Sequence, residues 1–373
     1  MISKDQFPGK RVSFSGVFEE KTRDVKKVKQ KEYLRDGAHP VIDQGQNLIA
    51  GYVNEEDGLF VDVPAIIFGD HTRCIKYIDE PFFAGADGVK ILKPKSGDTR
   101  FWYHALRAVP IENLGYSRHF KILKQSSFRL YDEVQQCSIS NQLDLVLEQL
   151  KSAESLINAF DFLVKSRFME MFGDMQSNVY DWPVKTFEDI SEVVTDGEHS
   201  TPKRQKNGVC LLSARNIKNH ALDLTDVDYI GEEEYRRIAK RIVPQEGDVL
   251  ISCSGTIGRC CVVPPDVKFQ MVRSAALIRF RDFIDPTYAE WLILSDDVQN
   301  QINRAATQSS QANLFQGRIK KLRGLIPPLS LQKKFVDFVH QVDKLKFETQ
   351  QSIEKLQMLY DSLAQEYFAP EGE

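Results

Sequence analysis

The residues best suited to recognition chemistry sit on stretches whose Gly, Asp and Pro content predicts turns. In the first half, PVIDQGQNLIAGY sets Gln44 and Gln46 on one turn, and IIFGDHTRCIKY sets His71 and Arg73 on another between two strands. Arg118 follows in SRHFKILK. In the second half, DGEHSTPKRQKNGVCLLSARNI carries His199, Ser200, Thr201, Lys203, Arg204 and Lys206 on a polar loop. That loop runs into a strand predicted over Val209 to Ser213, with Arg215, Asn216 and Lys218 beyond it. EGDVLISCSGTIGRCCVV adds Ser254, Thr256 and Arg259 at a turn between two more strands. Amides and guanidiniums can bond a base edge bidentately, and Lys and Arg attract phosphates. The same residue types are also ordinary occupants of solvated turns.

Covalent chemistry finds less support. SGTIG lacks the GxxxxGK[ST] spacing of a phosphate cradle and leads into β-type sequence rather than a helix. No G-x-S-x-G or H-E-x-x-H occurs. Glu19-Glu20-Lys21 is half of a nuclease-like carboxylate–lysine arrangement, without a Pro-Asp partner at a suitable place. The densest basic run, Lys21 to Lys31, reads as a solvated loop, with phosphate contact as its second reading. The six cysteines (Cys74, Cys137, Cys210, Cys253, Cys260, Cys261) show no CxxC spacing and no close His, as expected of reduced thiols in a cytoplasm that bind no metal. A net charge of −4 argues against indiscriminate coating of nucleic acid. The stretch MISKDQFPGKRVSF has no apolar signal region, and no apolar run reaches membrane-spanning length. These features read as a binding protein.

Two long helices must position these groups. From Ile139 to Phe172, apolar or small residues fall at Ile139, Leu143, Val146, Leu150, Ala153, Ile157, Phe160, Val164, Phe168 and Met171. Steps of four and three make the seam of a helix that packs along another helix, in a rod about 50 Å long. Phe335 to Phe368 repeats it: one constant shift lays Phe335 on Ile139, Val342 on Val146, Ile353 on Ile157, Phe368 on Phe172, and Gln332 on Gln136. The globular parts repeat more loosely. Phe187 and Ile190 align with Phe14 and Val17, while Gly255, Arg259 and Cys260 align with Gly69, Arg73 and Cys74. In the first part, strands are predicted over Val12–Phe18, His39–Asp43, Asn47–Val53, Ala65–Phe68, Cys74–Ile78 and Val89–Leu92, with a helix over Thr99–Val109. The expected plan is a globular domain at 1–127, a helix at 128–175, a second domain at 176–322 and a second helix at 323–373.

DGEHSTP, LLSARNI, GDVLISCSGTIGRCCVV and GLIPPLSLQKKF, with PVIDQGQNLIAGY, SRHFKILK and a rod ending SRFMEMFGD in the first half, make the chain resemble the specificity subunits of type I restriction–modification enzymes. The resemblance covers essentially the whole length. It implies an α+β chain of two mixed α/β target recognition domains, joined by two long antiparallel helices in a coiled coil with an internal pseudo-two-fold repeat. Each domain would read one half of a gapped double-stranded DNA site. The helices would dock two modification (methyltransferase) subunits, and restriction subunits would join them. The resemblance makes this chain non-catalytic and cytoplasmic, without cofactor or metal of its own; S-adenosylmethionine, ATP and Mg2+ belong to the partners. One departure stands out: the second rod is introduced by IPPLSLQ, the first by LYDEVQQ, without prolines. The alternatives are a coiled-coil scaffold that binds no nucleic acid and a self-contained nuclease or methyltransferase.

Overall fold

The computed structural model describes residues 11–115, 117–307 and 313–369. MISKDQFPGK, read above for its lack of an apolar leader, lies outside them. The chain divides into two compact units, Met1–Ser155 with Thr349–Glu373, and Leu156–Glu348. Each is a β-rich domain holding part of both long helices.

In the first unit, β1 (Arg11–Ser13) pairs antiparallel with β10 (Ser127–Arg129). The alternating pattern predicts one strand over Val12–Phe18, but Ser13 interrupts it. Its hydroxyl accepts from the Gly16 N–H and caps a short helix, α1 (Phe14–Val17), which buries Phe14 and Val17 before β2 (Phe18–Glu20) begins. One antiparallel sheet runs β2, β9 (Val89–Pro94), β6 (Ala65–Gly69), β7 (Ile75–Ile78). A second runs β3 (Lys27–Val28), β8 (Phe83–Gly85), β4 (His39–Ile42), β5 (Gly51–Val53), with β8 parallel to both neighbours. The basic run Lys21–Lys31 is therefore more than loop, since it holds β3 and two 3-10 turns. Asn47–Ala50, predicted as strand, stay outside β5.

Helix α2 (Thr99–Arg107) starts where the Asp98 carboxylate accepts from the Arg100 and Phe101 amides, and ends two residues before the expected Val109. A short α3 (Phe120–Leu123) precedes β10. The first rod, α4 (Glu133–Phe172), needs no proline to begin: Asp132 and Gln135 each accept from the other's backbone N–H. Gln136, in its first turn, accepts from the Asp98 N–H and donates to the Tyr131 carbonyl, so one buried amide joins the rod to the cap of α2.

The second unit repeats this plan. Here β11 (Val184–Thr186) pairs with β22 (Arg323–Leu325), and Thr186 and Asp189 form a reciprocal cap for α5 (Phe187–Ile190). An antiparallel sheet runs β12 (Ser191–Asp196), β21 (Ala275–Phe280), β18 (Val249–Ser252), β19 (Cys260–Val262). Another runs β13 (Arg204–Gln205), β17 (Asp228–Ile230), β14 (Val209–Leu212), β20 (Phe269–Met271). A hairpin of β15 (Ile217–Lys218) and β16 (Ala221–Leu222), then α6 (Glu232–Ala239), lie between these strands in the chain. After β21 come α7 (Pro286–Leu294), α8 (Asp296–Thr307) and α9 (Gln316–Ile319). Asp285 caps α7, and Gln332, at the start of α10 (Leu329–Phe368), accepts from the Asp285 N–H as Gln136 does from Asp98. Helix α10 begins directly after Pro327 and Pro328.

The rods pack antiparallel within each unit. In the first, Ile139, Leu143, Val146 and Leu150 of α4 share a core with Tyr360, Ala364, Tyr367 and Phe368 of α10, and the Tyr367 hydroxyl meets Gln142. In the second, Val164, Phe168 and Phe172 share a core with Phe335, Val339 and Val342, and Lys346 pairs with Asp161. In the first unit Ile353 and Leu356 of α10 lie half-buried against the same core. In each unit the rod residues share their core with residues of the β-rich domain, such as Phe101 and Leu123 in the first and Phe187 and Tyr288 in the second.

Candidate nucleic-acid interface

In the second unit the loop after β12 begins with paired groups. His199 Nε2 lies 2.8 Å from Asp196 Oδ2, and Arg241 donates to the same carboxylate at 2.7 Å. Ser200 donates its hydroxyl to Glu198 and accepts from Arg237. The Ser200 hydroxyl, with Arg237 nearby, holds the Glu198 carboxyl below its ordinary range. Glu234 lies below its range through its bond to Arg237. Ser200, Thr201 and Lys203 line a cleft of about 920 Å³ with Gln205 and the α6 residues Glu232, Glu233, Glu234, Arg236 and Arg237. The Lys203 amide faces Glu234 at 3.4 Å, and Lys206 is exposed.

Arg204 and Arg215 meet at one carboxylate. Arg204 Nε donates to Asp228 Oδ2 at 2.9 Å, and Arg215 Nη2 lies 3.3 Å from Asp228 Oδ1. Arg215 also reaches Asp226, and Lys218 lies 3.6 Å from Asp223. Asn216 requires a correction. Its side chain is 2% exposed; Oδ1 accepts from the Ser213 amide and hydroxyl, and Nδ2 donates to the carbonyls of Asp223 and Asp226. With acceptor and both donor hydrogens engaged, Asn216 shapes the loop and has nothing left for a base edge.

The SGTIG turn is tight. Gly255 and Gly258 take φ of 68° and 85°, the left-handed region that other residues avoid, and the chain enters β19 directly. Ser252 stitches the turn by donating to the Thr256 carbonyl and accepting from the Arg259 N–H. Arg259 turns back to donate to the Ala214 carbonyl at 3.1 Å. Thr256 is exposed at the tip, and Ser254 bridges to Asn313.

The first unit gathers its candidates at the matching place. The Gln44 side chain accepts from the His71 N–H at 3.2 Å, and His71 Nδ1 faces the Ser117 carbonyl, next to exposed Arg118. Arg73 has φ of 61° and donates to the Ile111 carbonyl at 3.0 Å, as Arg259 does to Ala214. Gln46, exposed, shares with Arg73 the lining of a pocket of about 330 Å³. Arg73 and Arg259 therefore tie equivalent turns to neighbouring loops. The carboxylates that organise the second loop (Asp196, Glu198, Asp228 and Glu234) escaped sequence reasoning; the one available signal was DVDYI, which puts Asp226 and Asp228 two apart near a strand start.

Among the described residues no group of three His, Cys, Asp or Glu side chains is arranged to hold a metal. Burial pushes the Cys253 and Cys261 thiols up to about 12, so both stay protonated. No helix among the described residues is long and apolar enough to cross a membrane.

Residues 180–358 match the family model described as the type I restriction modification DNA specificity domain. Over 184 residues the chain is 26% identical to a protein of Methanocaldococcus jannaschii named for the specificity subunit of the type I restriction enzyme MjaX. That match takes in 47% of this chain and 43% of the relative, so the chain spans less than half the length of the curated relative it matches. The fold is similar to that of the S subunit of a type I restriction–modification system from M. genitalium, with a TM-score of 0.56 and 14% identity, covering 100% of this chain and 99% of the other. It is also similar to a chain from a structure concerned with complex assembly and conformational transition of the type I R-M system, with a TM-score of 0.57 and 13% identity, covering 97% and 98%.

Proposed function

We propose, from the premise that this chain belongs to the specificity-subunit family of type I restriction–modification systems, that its two β-rich domains each read one half of a gapped duplex DNA site. The observation that carries this is the repetition of one plan, sheet by sheet and cap by cap, with polar loops at corresponding places. Two readers suit a site with two halves, and rigid helices between them suit a fixed gap. Functionally the chain divides into recognition domains at 1–127 and 176–322 and spacer helices at 128–175 and 323–373. Lys203, Lys206 and Arg204 contact phosphates; Arg215, Gln44, Gln46 and the turn residues around them face base edges.

The long helices dock the modification subunits. Phe162 and Leu163 of α4 are 72% and 45% exposed, and Met358 and Leu359, their repeat equivalents on α10, are 63% and 46% exposed. Each unit thus offers an apolar pair at the same place, which fits two copies of one partner. Recognition is this chain's part, while methyl transfer and ATP-driven cleavage, with S-adenosylmethionine, ATP and Mg2+, belong to the modification and restriction subunits. Methylome sequencing of host DNA, with and without the chain, tests the reading. A gapped methylated motif that appears only with the chain is expected; an unchanged methylome with active modification subunits present would refute it.

A further inference from the structure

Asp228 stands where two arginines of the second reader converge. It opens β17, the strand flanked by β13 and β14. Arg204 comes from β13 and Arg215 from the 3-10 turn after β14, so one carboxylate gathers guanidiniums from two segments, at 2.9 and 3.3 Å. Both arginines are about half exposed, and ion pairs that open to water hold weakly enough for a ligand to replace them. Asp226 reaches Arg215 at 3.4 Å but is 82% exposed and does not join the two arginines.

We propose that Asp228 is a specificity-determining residue of this reader, holding Arg204 and Arg215 as one fork and accepting a hydrogen bond from the exocyclic amino group of a cytosine or adenine. The inference rests on the DNA-reading function proposed above. In the major groove guanine offers only acceptors, which suit a guanidinium, whereas cytosine and adenine offer an amino donor, which suits a carboxylate. A duplex bound out of register brings phosphates against the Asp228 carboxylate and meets arginines that are already engaged. In register, the amino group takes over as donor to Asp228 and releases a guanidinium to guanine or phosphate. The same anion therefore disfavours arbitrary DNA and favours the proper half-site.

Asp228→Asn keeps the side-chain shape and removes the charge, and Asp226→Asn removes a neighbouring charge that does not bridge the arginines. The full chain in complex with its modification subunits is titrated with duplexes carrying or lacking the gapped site, and the methylated motif is sequenced for each variant. For Asp228→Asn the ratio of site to non-site affinity is expected to fall about tenfold, through tighter non-site binding, with one position of one half-site relaxed. Asp226→Asn is expected to change the ratio by less than about twofold. An unchanged ratio and motif for Asp228→Asn overturns the proposal. So does an equal effect of Asp226→Asn, which would reduce it to net charge, or a uniform loss of binding to every duplex. A wild-type complex with no gapped motif would instead remove the DNA-reading function, and the role of Asp228 with it.

Discussion

Around Asn216 three stretches of the second unit, at Ser213, Asp223 and Asp226, hang on one buried amide. Asn216→Ala would leave those groups unpaired, and a cost of about 1–3 kcal/mol is expected from urea unfolding, with DNA binding weakened evenly across sequences. Lys206→Ala, on an exposed cation, is expected to leave stability alone and to make the salt dependence of binding shallower by about one unit per lost phosphate contact. As residue types, Asn216 and Lys206 were equal candidates for DNA contact. Only burial separates them, and for Asn216 it comes from the nearby loop at Asp223 and Asp226 folding back on the side chain, which no residue pattern shows. His104 carries a pH dependence. It is buried, with Nε2 at 2.9 Å from Asp144 and Nδ1 at 2.8 Å from the Tyr360 hydroxyl, and burial lowers its pKa from 6.5 despite the pull of Asp144. The unfolded chain thus takes up the proton more readily than the folded one. The neutral ring's contribution is complete above about pH 6.5 and is lost as pH falls toward the depressed value. Urea midpoints of the wild type should drop over that range, while those of His104→Asn should run flatter.

The helices were legible to their C-terminal ends at Phe172 and Phe368 because their seam is long and no proline interrupts it. Both begin six residues before the expected Ile139 and Phe335, where the first turns are set by side-chain caps and flanking prolines rather than by the seam. Pairing Gln332 with Gln136 was also legible, but its reason was not: each amide accepts from the backbone of an aspartate that caps a neighbouring helix, Asp98 or Asp285. Short elements were harder. An alternation over Val12–Phe18 hides a capped turn, because the Ser13 hydroxyl outweighs the strand preference of its neighbours. Strand β6 is buried along its whole length, and its even apolar run locates it without showing a face. Where the rods enter the second domain, Phe335 is fully buried, with ring centroids 5.4 Å from Phe168, 5.5 Å from Phe172 and 6.1 Å from Trp291. Phe335→Ala is expected to destabilise that unit by about 3–5 kcal/mol in denaturant titrations, because three aromatic neighbours cannot collapse into the space.

At the scale of the whole molecule, the internal repeat was readable because one constant shift superposes two rods, and a matched seam is hard to produce by chance. The loops between matched elements differ in length and in ion-pair partners, which is why the detail of the two domains' polar loops stayed hidden. If the rods act as a ruler, their length sets the gap in the DNA site. Inserting one heptad into each rod, at the unit boundaries Ser155–Leu156 and Glu348–Thr349, keeps the seam and lengthens each helix by about 10 Å. That length corresponds to roughly three base pairs at about 3.4 Å each, and three base pairs turn the far half-site by about 100° around the duplex. The lengthened chain is therefore expected to select a wider gap with both half-sites kept, at reduced affinity, because the second reader must twist to follow the groove. Sequencing the methylated motifs of cells carrying the insertion reads the gap directly. Half-sites that change while the gap stays fixed would show that the rods set no distance and act only as a docking surface for partner subunits.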